Sequence, residues 1–228
     1  MQEKVVACTF RDESECEGCN LNSYLGCRYS KRDFWFFTLN QIPVTVMALF
    51  SLVFMGLLAG LWWALIVYVI SALVFFGLGL ETRILCSHCP YWTNDSKLLN
   101  CWAYPNTYKF WRYRPEPMNS IEKFLLVLFF VFLGFFPVAM TSYGIWLMAT
   151  SPSLINLFSL LGIIGITVGT LFAAIQFFYI LRFYFCSKCV NFSCPFNRVS
   201  TDKIKAYLQK NTVMKKAYET ARYNRTFS

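Results

Sequence analysis

Two stretches of the chain carry no charged side chain: Phe34 to Leu80 and Phe124 to Leu181. Uncharged, mostly apolar runs longer than about eighteen residues read as transmembrane helices, and about 20 residues suffice to cross the hydrocarbon core. Each stretch has room for two crossings. The pattern predicts helices near residues 42–58 and 61–80, turning around Gly56 and Gly60. It predicts two more near 124–148 and 154–181, turning at Ser151-Pro152-Ser153. Pro43 falls at the predicted start of the first helix, where its missing N–H costs little. The Gly56/Gly60 pair suits either close helix approach or a tight turn.

The polar remainder forms three segments, and with the apolar stretches they divide the chain into five parts. These are a cysteine-rich N-terminal segment (1–33), a first hairpin (34–80), an aromatic and cysteine-bearing loop (81–123), a second hairpin (124–181) and a C-terminal segment (182–228). In the last, Ser200 or Thr201 is an expected helix N-cap. Ile204, Tyr207, Leu208, Met214, Tyr218 and Ala221 then follow helical spacing among lysines, the pattern of an amphipathic basic helix lying on a membrane face. The expected fold is therefore an all-α integral membrane protein. It has four transmembrane helices as two hairpins, cysteine-rich cytoplasmic loops and a C-terminal amphipathic helix.

Charge adds the orientation. The chain has 21 Lys and Arg against 12 Asp and Glu, a net charge of +9, and every charged residue lies in the three polar segments. An even number of crossings puts those segments on one side. Basic residues accumulate in cytoplasmic loops, so both termini and the central loop are expected in the cytoplasm of a multi-pass membrane protein. The lipid bilayer is thus the first expected partner. Aromatic residues crowd the central loop (Tyr91, Trp92, Trp102, Tyr104, Tyr108, Phe110, Trp111, Tyr113) beside Lys109, Arg112 and Arg114. Beside a bilayer this composition predicts an interfacial segment on anionic headgroups, and no nucleic acid is expected. The predicted spans contain no Asp, Glu, Lys, Arg or His, which argues against an ion pump or a carrier of charged substrates.

Candidate chemistry resides in cysteine. The chain has 10 cysteines, all in the polar segments. Cys86-Ser87-His88-Cys89-Pro90, with Cys101 beyond it, follows the first apolar stretch. Cys186-Ser187-Lys188-Cys189, then Cys194-Pro195, follows the second. Two cysteines separated by two residues can direct both sulfurs at one ion, and a third closes from the next turn. Cys8, Cys16, Cys19 and Cys27 supply four more thiols around a central Cys-x2-Cys. His88, the only histidine, could complete the first set. On a reducing side of the membrane such spacing points to metal sites rather than to disulfides. The donor set suits zinc or an iron–sulfur cluster, and the proline after Cys89 and after Cys194 resembles cluster-binding runs. The two halves also read as a duplication, and two hairpins side by side would bring both cysteine sets to one end of a helical bundle.

Three functions follow as expectations. The first is iron–sulfur electron transfer between a cytoplasmic partner and the membrane, where a quinone or another membrane subunit receives the electrons. The second is a zinc-stapled scaffold in a membrane complex. The third is an enzyme acting on a lipid-soluble substrate. No nucleotide fingerprint and no Ser-His-Asp arrangement supports the third.

Overall fold

The computed structural model describes residues 18–93, 97–101, 103–150 and 157–226. The chain is mostly helical. Helix α1 spans Lys31–Ala59. Helix α2 spans Trp62–Ala72 and continues as a wider π-helical turn over Leu73–Gly77. Helix α3 is the short Leu80–Ile84. Strands β1 (Leu98–Asn100) and β2 (Pro105–Tyr108) pair antiparallel, with a bulge between Leu99 and Asn100. Helix α4 spans Ser120–Thr150 and α5 spans Leu157–Ile180, and a second π-helical turn, Leu181–Phe185, extends α5. Helices α6 (Thr201–Lys210) and α7 (Thr212–Thr226) close the described chain.

Among the described residues three helices are long and apolar enough to cross a membrane: α1, α4, and α5 with its extension. A bent pair, Trp62–Gly77 with Leu80–His88, makes a fourth if counted as one span. Helix is the economical form for such sequences, because it satisfies every backbone N–H and C=O within the segment. Hydroxyls inside these helices bond back to the preceding turn: Ser51 Oγ donates to the Ala48 carbonyl at 2.8 Å and Thr170 Oγ1 to that of Ile166 at 2.7 Å.

Several elements depart from the sequence expectation. Helix α1 begins at Lys31, so Pro43 lies in its interior rather than in its first turn. Its missing N–H removes one intrahelical bond there. Gly60 has φ of +67°, a conformation glycine accepts without strain, and it follows the last residue of α1. Gly56 has the other role: a Cβ there would meet the Trp62 ring at 2.6 Å. The expected turn at Ser151-Pro152-Ser153 lies outside the described residues.

The C-terminal segment forms two helices instead of one. They break at Asn211, whose Oδ1 accepts the Met214 N–H at 3.2 Å, the bond of an N-cap. Ser200 occupies the N-cap position of α6 in extended conformation, without a side-chain capping bond. The apolar face is not left for a membrane surface: Tyr207 and Met214 are fully buried in the protein's own core.

The described chain divides into two compact units. One comprises residues 38–80 and 127–180. Its interior is built from small residues and rings. Met55, Met148 and Ile163 form a buried cluster, Gly144 abuts Met55 and Ile163, and Phe75 stacks on Phe129 at 4.8 Å between centroids. Its outer surface is apolar, with Leu57, Phe158 and Phe172 all well exposed. A contiguous apolar surface of this kind marks contact with lipid or with another protein.

The other unit gathers the described parts of all three polar segments: residues 18–37, 81–126 and 181–226. Its core contains Leu21, Leu25, Tyr91, Trp92, Leu99, Val190, Val199, Tyr207 and Met214, together with Cys27 and Cys86. The central loop's aromatics therefore serve largely as core. Tyr91 and Trp92 are buried, and Tyr104, Trp111 and Tyr113 pack against them, while Tyr108 and Phe110 stay exposed.

Candidate functional site

The cysteine motifs are set by tight turns. In the first, the Cys89 amide donates to the Cys86 carbonyl at 2.9 Å. In the second, the π-helical turn ends with the Cys186 amide donating to the Leu181 carbonyl at 2.8 Å. The Lys188 amide donates to the Phe185 carbonyl at 3.1 Å. The first closure sets Cys86 and Cys89 on one side of a turn, whereas in the second motif the Cys186 carbonyl accepts the Arg198 amide at 3.0 Å.

Polar side chains then tie the segments together. Asn191 Nδ2 donates to the Leu85 carbonyl at 2.7 Å, which fastens the second motif to the residue before Cys86. Asn197 Nδ2 donates to the Cys189 carbonyl at 2.7 Å and to that of Asn191 at 3.0 Å, which folds the second motif onto itself. The N-terminal segment joins through backbone: the Gly26 amide donates to the Lys188 carbonyl at 2.8 Å, and Tyr91 Oη donates to the Gly26 carbonyl at 2.6 Å. Of these anchoring side chains, Asn197 and Tyr91 lie outside the cysteine motifs. Only the presence of Asn191 inside Cys-x4-Cys could have hinted at one.

Six cysteines from two segments thereby share one environment. Cys86 lies in the electrostatic field of Cys89, Cys101 and Cys189, and Cys89 in that of Cys101, Cys189 and Cys194. Cys186 lies in the field of Cys189 and Cys194. Cys86 and Cys186 are buried, while Cys89, Cys101, Cys189 and Cys194 are half-buried. Desolvation, reinforced by the neighbouring thiols, raises the Cys89 thiol well above its ordinary range. The same two causes push Cys189 up to about 12. Cys194 is pushed up to about 11 by desolvation, against the bonds from the Phe196 and Asn197 amides. No disulfide joins any two of the eight described cysteines. Equally, no three His, Cys, Asp or Glu side chains among the described residues form a group with the geometry of a metal site.

The N-terminal cysteines divide. Cys27 is buried in the same core, and Tyr91 lies in the fields of Cys27, Cys89 and Cys101. Cys19 packs at the edge of that core and accepts a hydrogen bond from Lys210 Nζ at 3.2 Å. Its thiol is lowered by the Leu21 amide first, against burial, with Lys210 adding a further lowering. Cys8 and Cys16 lie outside the described residues.

His88 is engaged elsewhere. Its ring is 1% exposed, Nδ1 lies 2.6 Å from the Glu116 carbonyl, and Nε2 faces Glu122 Oε2 at 3.4 Å. Glu122 is the hub of a local network. Its Oε1 accepts from Arg114 Nη1 at 2.6 Å, and its Oε2 accepts the Asn119 amide at 2.9 Å. Asn119 Oδ1 accepts the Glu122 amide at 2.8 Å. The last two bonds are a reciprocal capping box at the start of α4. The Arg114 amide donates to the Ser87 carbonyl at 2.8 Å, so this network also steadies the first motif.

One carboxylate sits inside the thiol environment. Glu81 is buried, accepts a short hydrogen bond from Tyr104 Oη, and shares the electrostatic field of Cys86 and Cys194. In the sequence it appears only as the first charge after an apolar run, with no spacing that marks it. No protein-family model matches this chain, and no curated protein or solved structure is significantly similar to it.

Proposed function

We propose that this chain is a membrane-bound metal–thiolate protein whose cysteine unit carries an iron–sulfur centre. In this reading electrons pass from a soluble partner on the cytoplasmic side to a quinone or another membrane subunit. Four spans, arranged as two hairpins, place both termini and the central loop in the cytoplasm. The observation that carries the proposal is the shared electrostatic environment of six thiols, none in a disulfide, with Cys86, Cys89 and Cys101 packed among the aromatic side chains of the core. Packed neutral thiols stabilise little by themselves, whereas thiolates neutralised by a metal remove their mutual repulsion. The ligands are Cys86, Cys89, Cys101, Cys186, Cys189 and Cys194, with Cys27 and Cys19 next in reach. Loading requires side-chain rotation to ligand spacing and loss of the thiol protons. When bound, the cluster supplies one-electron chemistry, and the surrounding rings limit water and so set its potential.

The test is one anaerobic preparation of the full chain in detergent. Iron with acid-labile sulfide, and a broad visible absorption that bleaches on reduction, is the expected result. A colourless protein containing zinc alone refutes electron transfer by this centre.

A second reading, zinc as a structural staple, draws on a specific observation. The cysteine unit is assembled from very short elements, including a 5-residue helix and strands of 3 and 4 residues. Such pieces gain most from a cross-link. A stable, folded variant with serine at Cys86, Cys89, Cys186 and Cys189 rules this reading out.

A further inference from the structure

Beside the thiol core, and within the same unit, lies a cavity of about 720 Å³. This is within the range of small-molecule sites, roughly 300–1,000 Å³. Its wall is largely apolar, with Pro117, Phe192 and Leu208, and Lys123, Lys205, Lys215 and Glu219 bring charge to it. Lys123 comes from the first turn of α4, Lys205 from α6 and Lys215 from α7. No carboxylate pairs with Lys123 or Lys205 among the described residues. Lys215 has only Glu219, at 4.0 Å, an exposed pair one helical turn apart. Three ammonium groups against one carboxylate leave a local excess of positive charge facing the cavity.

Two hydroxyl groups complete the lining. Ser193 is buried and its Oγ donates to Asn191 Oδ1 at 2.9 Å. Tyr218 hydrogen-bonds with Ser193, and burial pushes its hydroxyl up to about 12, so it keeps its proton at neutral pH. Three lysines and the Tyr218 hydroxyl, next to an apolar wall, are complementary to a compact dianion on an organic body. A phosphate monoester carries about −1.5 to −2 charges and several strong acceptor oxygens, whereas a carboxylate offers a single charge.

We propose that this cavity binds a phosphate monoester, with Lys123, Lys205 and Lys215 holding the phosphate and the Phe192/Leu208 wall receiving the group it is attached to. Two sources share that chemistry: a free phosphate ester and the headgroup of an anionic phospholipid. The site adjoins the thiols. Cys194 lies in the field of Lys123, and Tyr218 in the fields of Cys89 and Cys189. An occupant therefore covers one approach to the cysteine core. This inference does not depend on which metal, if any, the thiols hold.

The experiment titrates the full chain in detergent with inorganic phosphate and with short-chain dihexanoylphosphatidic acid, using dihexanoylphosphatidylcholine as control. Binding is read by calorimetry. Saturable binding of both phosphate probes supports the site and assigns it to free esters as well as lipid. Saturation by phosphatidic acid alone supports it as a headgroup site. Lys123→Gln with Lys205→Gln should weaken binding about a hundredfold, about tenfold for each lost charge-assisted bond. Lys97→Gln, an exposed lysine outside the cavity, should leave it unchanged. In the wild-type chain, ligand should also shield Lys123 and Lys205 from acetylation while Lys97 stays reactive. This readout holds even if the variants misfold. No saturation by either phosphate probe, or equal weakening by the Lys97 substitution, overturns the proposal.

Discussion

Removing the Glu122 carboxylate isolates what holds the first cysteine motif. The side chain accepts from the Asn119 amide at 2.9 Å and from Arg114 Nη1 at 2.6 Å, and it is 13% exposed. Loss of a capping interaction costs about 1 kcal/mol. Loss of a hydrogen bond between charged partners costs about 1.5–3 kcal/mol, taken near the lower end because Arg114 is 32% exposed. Glu122→Ala loses both and should destabilise by about 2.5 kcal/mol. Glu122→Gln keeps an amide oxygen for the cap and loses only the charge, about 1.5 kcal/mol. For a chain of this size each kcal/mol shifts Tm by about 2–4 °C, so the two variants should fall by roughly 5–10 °C and 3–6 °C. The assay is thermal unfolding of the purified protein in one detergent, followed by tryptophan fluorescence. Trp92 reports directly, since its Nε1 donates to the Trp111 carbonyl at 2.7 Å within the same unit. If neither variant shifts by more than about 1 °C, the network does not anchor the motif. Equal shifts would show that the charge accounts for the whole effect and the cap for none.

Metal-free protein should lose stability in alkali. Because the Cys194 and Cys189 thiols are raised to about 11 and about 12, their neutral forms stabilise the fold fully below the unfolded thiol range. That contribution disappears as pH rises through the folded values, while metal-loaded protein lacks the transition; unfolding midpoints from pH 7 to 12 with and without chelator check this. Cys19, with its lowered thiol, should be the first described cysteine alkylated at neutral pH, and Lys210→Gln should slow it severalfold, as site-resolved mass spectrometry would show. Gly144→Ala should cost about 1–3 kcal/mol, because a Cβ there meets Met55 Sδ at 2.5 Å and Ile163 Cδ1 at 2.7 Å, both fully buried. Gly165→Ala, with nothing within 4 Å, should be neutral or stabilising by up to about 1 kcal/mol in the same unfolding assay.

The partition into apolar helices and polar segments was legible because long runs without charge are rare outside membrane-spanning helices. Helix ends were less so. Hydropathy cannot see a helix continue into polar residues, as α1 does through Lys31, Arg32 and Asp33. The β1–β2 pair, with Asn106 at φ of +58°, lay hidden in a loop read only as an interfacial segment. Aromatic composition suits a membrane interface or a core equally, and burial against the thiol-bearing unit decided for Tyr91 and Trp92. Among the site residues, the cysteine spacings were visible. The partners of His88 were not, because Glu116 and Glu122 lie 28 and more residues away and no local pattern announces them. Asn191, Asn197 and Glu81 act through contacts that only the fold creates.

The π-helical turn at Leu181–Phe185 bears on what length changes the chain can accept. Each residue added to or removed from a helix rotates everything beyond it by about 100°, since 3.6 residues make one turn. The wide turn holds one residue more than an α-helical path would need, immediately before Cys186. Deleting one residue there would regularise the helix while swinging the Cys186–Cys194 motif away from the Leu85 carbonyl that Asn191 grips. Single-residue gaps between 181 and 194 should therefore not be absorbed. In any set of related sequences, insertions and deletions should collect in the connecting loops and spare that window.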